Sequence, residues 1–485
     1  MKRLLTHLRI FGLMLIVYSL TYIPPLLTSV IFDDGTVTTF FTGMMLTLGS
    51  GLLLWILTQR YHMELKARDG FILVFVTWVG MAAVSTVPLL TYLEDLSFTD
   101  AYFESMSGLS TTGATILSNL DYLPPAINMW RHELNWIGGM GIIVLAVAIL
   151  PILGVGGRQL YVAEIPGPMK DSRLTPRITE TAKNLWLTYT LITLACIIGL
   201  KLAGMDWFDA ICHAFATMSL GGFSTHDASI GYYHSAEIEI VLIVFMTLAG
   251  MNFATHFTAF REKNLEAYSR DMEAYPYILI LVGSSLAIAL ILWHDNYYSS
   301  FGETLRYATF NLVSIATDCG FSSQNYNDWP VFAPLWMLLL SSFMACTGST
   351  GGGIKMMRTL ILWKQSLLQM FLLSHPTAAN PLKLGGQVIS SRITLSVLGF
   401  IFAYFATLVI MTLLLVLTGL DPFSAFSAIL ACLNNAGPGL GEVGPTTNYA
   451  ILNDFQTWTC TLAMFLGRIE IFTALILLTP AFWRR

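Results

Sequence analysis

Four short stretches of this 485-residue chain set a glycine in a compact loop directly after an apolar segment. They read Ser110-Thr111-Thr112-Gly113-Ala114-Thr115, Ser219-Leu220-Gly221-Gly222-Phe223-Ser224, Thr317-Asp318-Cys319-Gly320-Phe321-Ser322 and Asn434-Asn435-Ala436-Gly437-Pro438-Gly439. The central glycines lie 109, 98 and 117 residues apart. The chemistry open to such loops is desolvation of a cation, with backbone carbonyls replacing its water. Carbonyls face an axis only where no side chain blocks it and the backbone can take positive φ, which glycine does without cost. The recurrence predicts four copies of one unit around an axis. Close helix packing explains any one such glycine equally well; four loops in register, each behind a short apolar segment, favour the ion-binding reading.

The elements that must hold these loops are membrane helices. Hydrophobic residues make up 55% of the chain and charged ones 11%, with a mean hydropathy of +0.65; soluble proteins carry about 25% charged residues. Apolar runs of bilayer-spanning length are predicted over 10–30, 38–59, 70–92, 134–154, 183–204, 237–260, 275–294, 331–373, 393–419 and 456–482. Between them, 99–110, 207–218, 302–316 and 422–433 are too short to span and suit half-helices that enter the membrane and return. Asp100, Asp209 and Asp421 are expected as N-caps of three of them, with the third copy opening near Gly302-Glu303 and the fourth spaced less strictly. The first apolar run is longer than a signal-peptide core and lacks a small-x-small cleavage site, so it is expected to remain as a helix.

Charge tests this topology. Segments 1–9, 60–69, 155–183, 261–273, 355–392 and 484–485 hold 21 of the 25 Lys and Arg residues, leaving Arg131, Lys201, Arg306 and Arg468 elsewhere. The positive-inside rule makes that side cytoplasmic, with both termini on it and all four loops facing out. The loop side carries 20 of the 30 acidic residues, which would concentrate cations. Half-helix C-termini aimed inward add partial negative charge.

Three features stand apart from the repeat. Asp318 could bind an ion directly, or its side chain could cap nearby amides while its carbonyl faces the ion; the second is favoured, since a lone carboxylate would trap the ion. Residues Gly348-Ser349-Thr350-Gly351-Gly352-Gly353 break the 331–373 run, where four glycines cannot sustain a helix. A phosphate-binding loop is excluded by spacing, because Ile354 separates Gly353 from Lys355, and no strand precedes it. Arg468 lies within the last span, where a charge is expensive and is paired or functional. Glu470, two positions on, faces elsewhere on a helix. The six cysteines show no metal-ligand spacing, and Cys319 is expected to contribute backbone only. His132, His213, His226 and His234 show no i,i+4 metal pairing and receive no role. No converging His, Asp or Ser cluster suggests an enzyme, and intramembrane carboxylates beyond Asp318, Glu104 and Glu470 are scarce, which weighs against ion-coupled symport.

The Ser-Thr-Thr-Gly-Ala-Thr loop, the Leu-Gly-Gly-Phe-Ser-Thr loop and the interrupted Thr347–Lys355 stretch resemble the Trk/Ktr/HKT superfamily of cation transporters, over essentially the whole chain. Within it the two extra N-terminal helices and the length are most similar to potassium-translocating subunits of bacterial Trk systems. The resemblance implies an all-α pore of four helix–half-helix–loop–helix units: two helices in 1–65, then units in 66–160, 161–270, 271–385 (with an intramembrane loop at 346–354) and 386–485. It implies a K⁺ filter from Thr111, Thr112, Gly113, Leu220, Gly221, Gly222, Asp318, Cys319, Gly320, Asn435, Ala436 and Gly437. The loops lack the full Thr-Val-Gly-Tyr-Gly of potassium channels, which leaves Rb⁺ and some Na⁺ permeation open. It further implies a gate of Gly348, Ser349, Thr350, Gly351, Gly352, Gly353, Lys355 and Arg468, with the arginine in the pore as a barrier to cations. K⁺ uptake across a bacterial inner membrane, with no covalent cofactor, would follow, channel-like or coupled to H⁺ or Na⁺. The implied partners are lipid, a second copy in a homodimer and a cytosolic TrkA-type nucleotide-binding ring docking on 155–183 and 374–392; none is a nucleic acid.

Overall fold

The computed structural model describes residues 2–61, 67–149, 178–378, 380–385 and 387–484. Among these the chain is almost wholly helical, with one antiparallel hairpin pairing Lys383–Leu384 to Gln387–Val388. Most of the basic loop 155–183 falls outside the described residues.

Helices α1 (Lys2–Tyr18) and α2 (Ile23–Phe32) are joined by a 3₁₀ turn, and α3 (Val37–Thr58) runs back against them. Gly12 and Gly51 let α1 and α3 touch at the backbone: a Cβ at Gly12 would lie 2.9 Å from the Gly51 carbonyl. Without water inside a bilayer, such close van der Waals contact is what draws helices together. Trp130 anchors this pair to the rest, stacked on Tyr22 at 4.5 Å and met edge-on by Tyr18 and Phe40.

The remainder repeats a sequence of long helix, short helix, loop and interrupted helix. It runs α4 (Ala67–Tyr92), α5 (Phe98–Leu109) and α6 (Pro125–Ile149); then α7 (Ile178–Leu202), α8 (Trp207–Ser219), α9 (Ala236–Ala249), α10 (Phe253–Glu262) and α11 (Glu266–Arg270). There follow α12 (Ala274–His294), α13 (Phe301–Ala316), α14 (Phe332–Ser341) and α15 (Met356–Ser374), and finally α16 (Ser391–Leu417), α17 (Pro422–Asn434), α18 (Asp454–Arg468), α19 (Ile471–Leu478) and α20 (Pro480–Trp483). Among the described residues, six helical stretches are long and apolar enough to cross a membrane, and up to eight if each bent pair counts as one span.

Two sequence expectations are corrected. The 237–260 and 456–482 runs are not continuous: α9 and α10 meet at 98°, and α18 and α19 at 111°. Helix α6 also kinks, where Gly141 takes φ 75° and ψ 144°. The interruption expected only in the third unit therefore recurs in all four, and only its length sets the third apart.

The caps differ too. Ser97 and Asp206, not Asp100 and Asp209, cap α5 and α8, each accepting from the amide three residues on. Ser300 caps α13 in the same way, and Asp421 caps α17 as expected. From Ser97 to Gly113, Asp206 to Gly222 and Asp421 to Gly437 the spacing is sixteen residues each. The fourth copy is thus in register, and the third, from Ser300 to Gly320, is the long one.

Candidate ion pathway

Each short helix ends in the same backbone device. The amides of Thr112, Gly221, Cys319 and Ala436 donate to carbonyls five residues back, on Ser107, Ala216, Ser314 and Ala431, at 2.8–2.9 Å. This is the Schellman-type closure, which requires a left-handed residue just before the donor. Thr111, Leu220, Asp318 and Asn435 occupy it, with φ between 53° and 72°. Asparagine and aspartate tolerate that conformation; Thr111 and Leu220 hold strained backbone that the surrounding packing must enforce.

The next glycine in each loop also has positive φ, and each faces its neighbour. A Cβ at Gly113 would strike the Gly221 carbonyl, one at Gly222 that of Cys319, one at Gly320 that of Ala436, and one at Gly437 that of Thr112. The four loops thus touch in sequence and return to the first. Any side chain at these glycines would overlap a carbonyl oxygen. A cavity of about 250 Å³ opens onto the ring, lined by Gly113, Gly222, Gly320 and Pro438 from all four loops and by Arg131, His226 and Asp227.

A buried polar side chain braces each loop from the short helix behind it. Glu104 accepts from the Ile116 amide (3.1 Å) and the Thr115 hydroxyl, and Asn311 accepts from the Ser323 amide (3.1 Å). Ser427 Oγ accepts from the Leu440 amide at 2.9 Å, and His213 Nε2 meets Ser224 Oγ at 3.0 Å. Glu104, His213 and Asn311 each stand nine residues before their loop glycine, and Ser427 ten.

Beneath the ring, residues 342–355 interrupt the third unit and touch the second and fourth, and Arg468 links them to the first. Asp318 Oδ2 accepts from the Gly352 amide at 2.9 Å. A Cβ at Gly352 would overlap the Asn434 carbonyl and come within 3.0 Å of Asn435 Oδ1. Thr350 Oγ1 donates to the Met218 carbonyl at the end of α8 (3.1 Å), and the Phe253 amide donates to Gly348 O (3.1 Å). Arg468 Nη1 donates to Thr350 O at 2.8 Å, while Nη2 donates to the carbonyls of Gly138 and Gly139 on α6. Lys355, itself buried, donates to Gly351 O. Glu273 accepts from the Thr347 amide and hydroxyl at 3.1 and 3.2 Å.

Comparison with known proteins settles the family. The TrkH family of cation transport proteins matches residues 37–485. Relatives include the Trk system potassium uptake protein TrkH of Halomonas elongata, 45% identical over 99% of both chains. That of Escherichia coli K12 is 46% identical over 98% of both. The crystal structure of the potassium transporter TrkH from Vibrio parahaemolyticus superposes with a TM-score of 0.90 at 43% identity, covering 99% of this chain and 100% of the other. The chain belongs to the TrkH family.

Within this TrkH-family chain all twelve loop residues singled out from sequence lie at or next to the ring. Cys319 and Ala436 present carbonyls to the neighbouring glycine, and Thr112 Oγ1 accepts from Asn435 Nδ2 (2.9 Å). The Asp318 side chain does cap an amide, but that of Gly352 across the cavity rather than one of its own loop. Of the glycine-rich residues, Thr350 binds other elements, whereas Ser349 Oγ donates only within its own turn, to Cys346 O (2.7 Å). Glu470 pairs with Arg358 at 2.8 Å, not with Arg468.

Several residues escaped the sequence reading. His132 Nε2 meets Phe223 O at 3.0 Å, beside His213. His226 bridges Asp121 and Asp209 and stacks on Tyr232 at 3.6 Å. Burial opposes its charge, but hydrogen bonds to Asp209 and Asp121 prevail and raise its pKa above the ordinary 6.5. Burial likewise opposes the Asp121 carboxylate, yet hydrogen bonds from His226 and Asp227 hold its pKa low. Glu133 is a further buried carboxyl on a helix, outside the expected span because α6 begins at Pro125, not near 134. An offset of nine or ten residues before each glycine is the sequence signal for the braces.

Proposed function

We propose that this chain takes up K⁺ across the membrane through a pore of four pseudo-symmetric units, with the glycine ring as its filter. The observation that carries this is the closed succession of glycine against carbonyl around four loops. Carbonyls of Thr112, Gly221, Cys319 and Ala436, with those of the adjoining loop residues, would replace the water around a dehydrated ion. K⁺ named in the relatives' descriptions supports that choice of ion.

The 348–353 segment serves as a gate below the filter. Its amide on Asp318, its carbonyls on Lys355 and Arg468 and the Thr350 hydroxyl hold it across the path. The Arg468 guanidinium adds a positive charge that repels a passing cation. The ring faces out and the termini lie in the cytoplasm of a bacterium, on the positive-inside distribution. A homodimer and a TrkA-type nucleotide-binding ring complete the assembly.

Reconstitution in proteoliposomes with K⁺, Rb⁺ and Na⁺ tests the reading. Wild type should carry K⁺ in preference to Na⁺, with a reversal potential that follows the K⁺ gradient. Gly113→Ser should abolish that preference or the flux; unchanged flux and preference would remove the filter assignment. A reversal potential that moves with pH at fixed K⁺ would replace channel-like permeation by proton coupling.

A further inference from the structure

The four junctions between neighbouring loops are not built alike. Between the second and third loops, Gly231 N donates to Ser322 O (3.1 Å) and Ser322 N to Ser229 Oγ (3.2 Å). Between the third and fourth, Asn327 and Gly441 exchange two bonds at 3.0 and 3.1 Å. Between the fourth and first, Tyr449 N donates to Thr115 O at 2.9 Å. The direct loop-to-loop bonds at these three junctions are between neutral groups, although behind the second and third loops Arg306 of α13 pairs with Glu239 of α9 at 2.7 Å.

The junction between the first and second loops contains a buried ion pair. Arg131 Nε donates to Glu104 Oε1 at 2.8 Å, and both side chains are 1% exposed. Glu104 holds Thr115 and Ile116 of the first loop, two and three residues past Gly113. Arg131 Nη1 donates to Ser224 O at 3.2 Å, two residues past Gly222, and the guanidinium lies 4.3 Å over the Phe223 ring. One charged pair therefore fixes equivalent points on two adjoining loops. Relative to apolar packing, a buried ion pair is a poor source of net stability, but its directed bonds fix geometry. Where cations are told apart by the fit of the cavity, discrimination depends on how far the liganding carbonyls can move.

We propose that the Glu104–Arg131 pair is a specificity-determining positioning pair, which holds the first and second loops at the spacing that admits K⁺ over Na⁺. It rests on the filter reading above. Arg131 borders the cavity above the ring, but the bonds of the pair go to Thr115, Ile116 and Ser224, so both side chains act through the loop segments that follow Gly113 and Gly222.

The test measures K⁺ and Na⁺ influx, and the melting temperature, of the full-length protein carrying Glu104→Gln, Arg131→Lys or Glu104→Asp. Tyr18→Phe, which removes the Tyr18–Ser85 bond between α1 and α4, gives a variant weakened outside the loops. The K⁺/Na⁺ ratio should fall about tenfold in Glu104→Gln, the effect of losing one charge-assisted bond, and fall in Arg131→Lys, while Tyr18→Phe keeps the wild-type ratio. A wild-type ratio in the folded variants overturns the proposal. So does a ratio that merely tracks melting temperature across all four. Should Glu104→Gln fail to fold, Glu104→Asp and Arg131→Lys retain the charge and decide alone. A wild-type ratio in Gly113→Ser would instead sink the filter reading itself.

Discussion

Asp318 joins two parts of the fold through one residue. Its backbone holds the left-handed position before a loop glycine, and its side chain accepts from the Gly352 amide. Asp318→Ala removes the acceptor and leaves the buried Gly352 amide unsatisfied, at a cost of about 1–3 kcal/mol. If the gate is held by that bond, the shut state loses roughly tenfold or more in population, and basal K⁺ flux rises in single-channel or liposome recordings. Arg468→Ala removes the donors to Thr350, Gly138 and Gly139 together and should raise flux further. Reduced flux in correctly folded Arg468→Ala would contradict a gating role. His226 predicts a pH effect: its raised pKa means that the bridge to Asp121 and Asp209 stabilises the fold fully below the ordinary imidazole value and is lost as pH rises through the raised one. The melting temperature should therefore fall as pH climbs above about 6.5, and His226→Gln should flatten that fall.

The short helices were legible from sequence nearly to the residue, because apolar runs of half-span length between full spans have few other uses. Their caps were misread by three positions in two cases. The pattern Ser97-x-x-Asp100, Asp206-x-x-Asp209 and Ser300-x-x-Glu303 is the cap-then-acid signature of a helix start, and the acid was taken for the cap. Asp421→Ala should cost about 1 kcal/mol, measurable as a lower unfolding midpoint of the protein in detergent micelles. The bends at 250–252 and 469–470 were illegible for another reason. One to three residues of non-helical backbone leave the hydropathy of a run unchanged, and only the long glycine-rich break of 348–353 showed through.

Across the whole molecule, the units are alike in backbone and unlike in chemistry. The Schellman closures and the glycine contacts repeat four times, while the braces are Glu104, His213, Asn311 and Ser427. Composition and charge pattern were enough to place these units in a membrane. The braces were not legible, since a buried carboxylate, imidazole, amide and hydroxyl share no residue type. They share only a distance from a glycine and the need of a buried loop amide or hydroxyl for a partner.

Gly352 lies against Asn434, Asn435 and Asp318 with no room for even a methyl group at the first. Moving the segment that carries it must therefore alter what two of the four loops lean on. Thermodynamic linkage is reciprocal: if displacing the segment changes how strongly the ring holds an ion, then ring occupancy must bias the segment by the same factor. External K⁺ would then be an effector of opening as well as the cargo, and dwell times in the open state should depend on which cation is being carried.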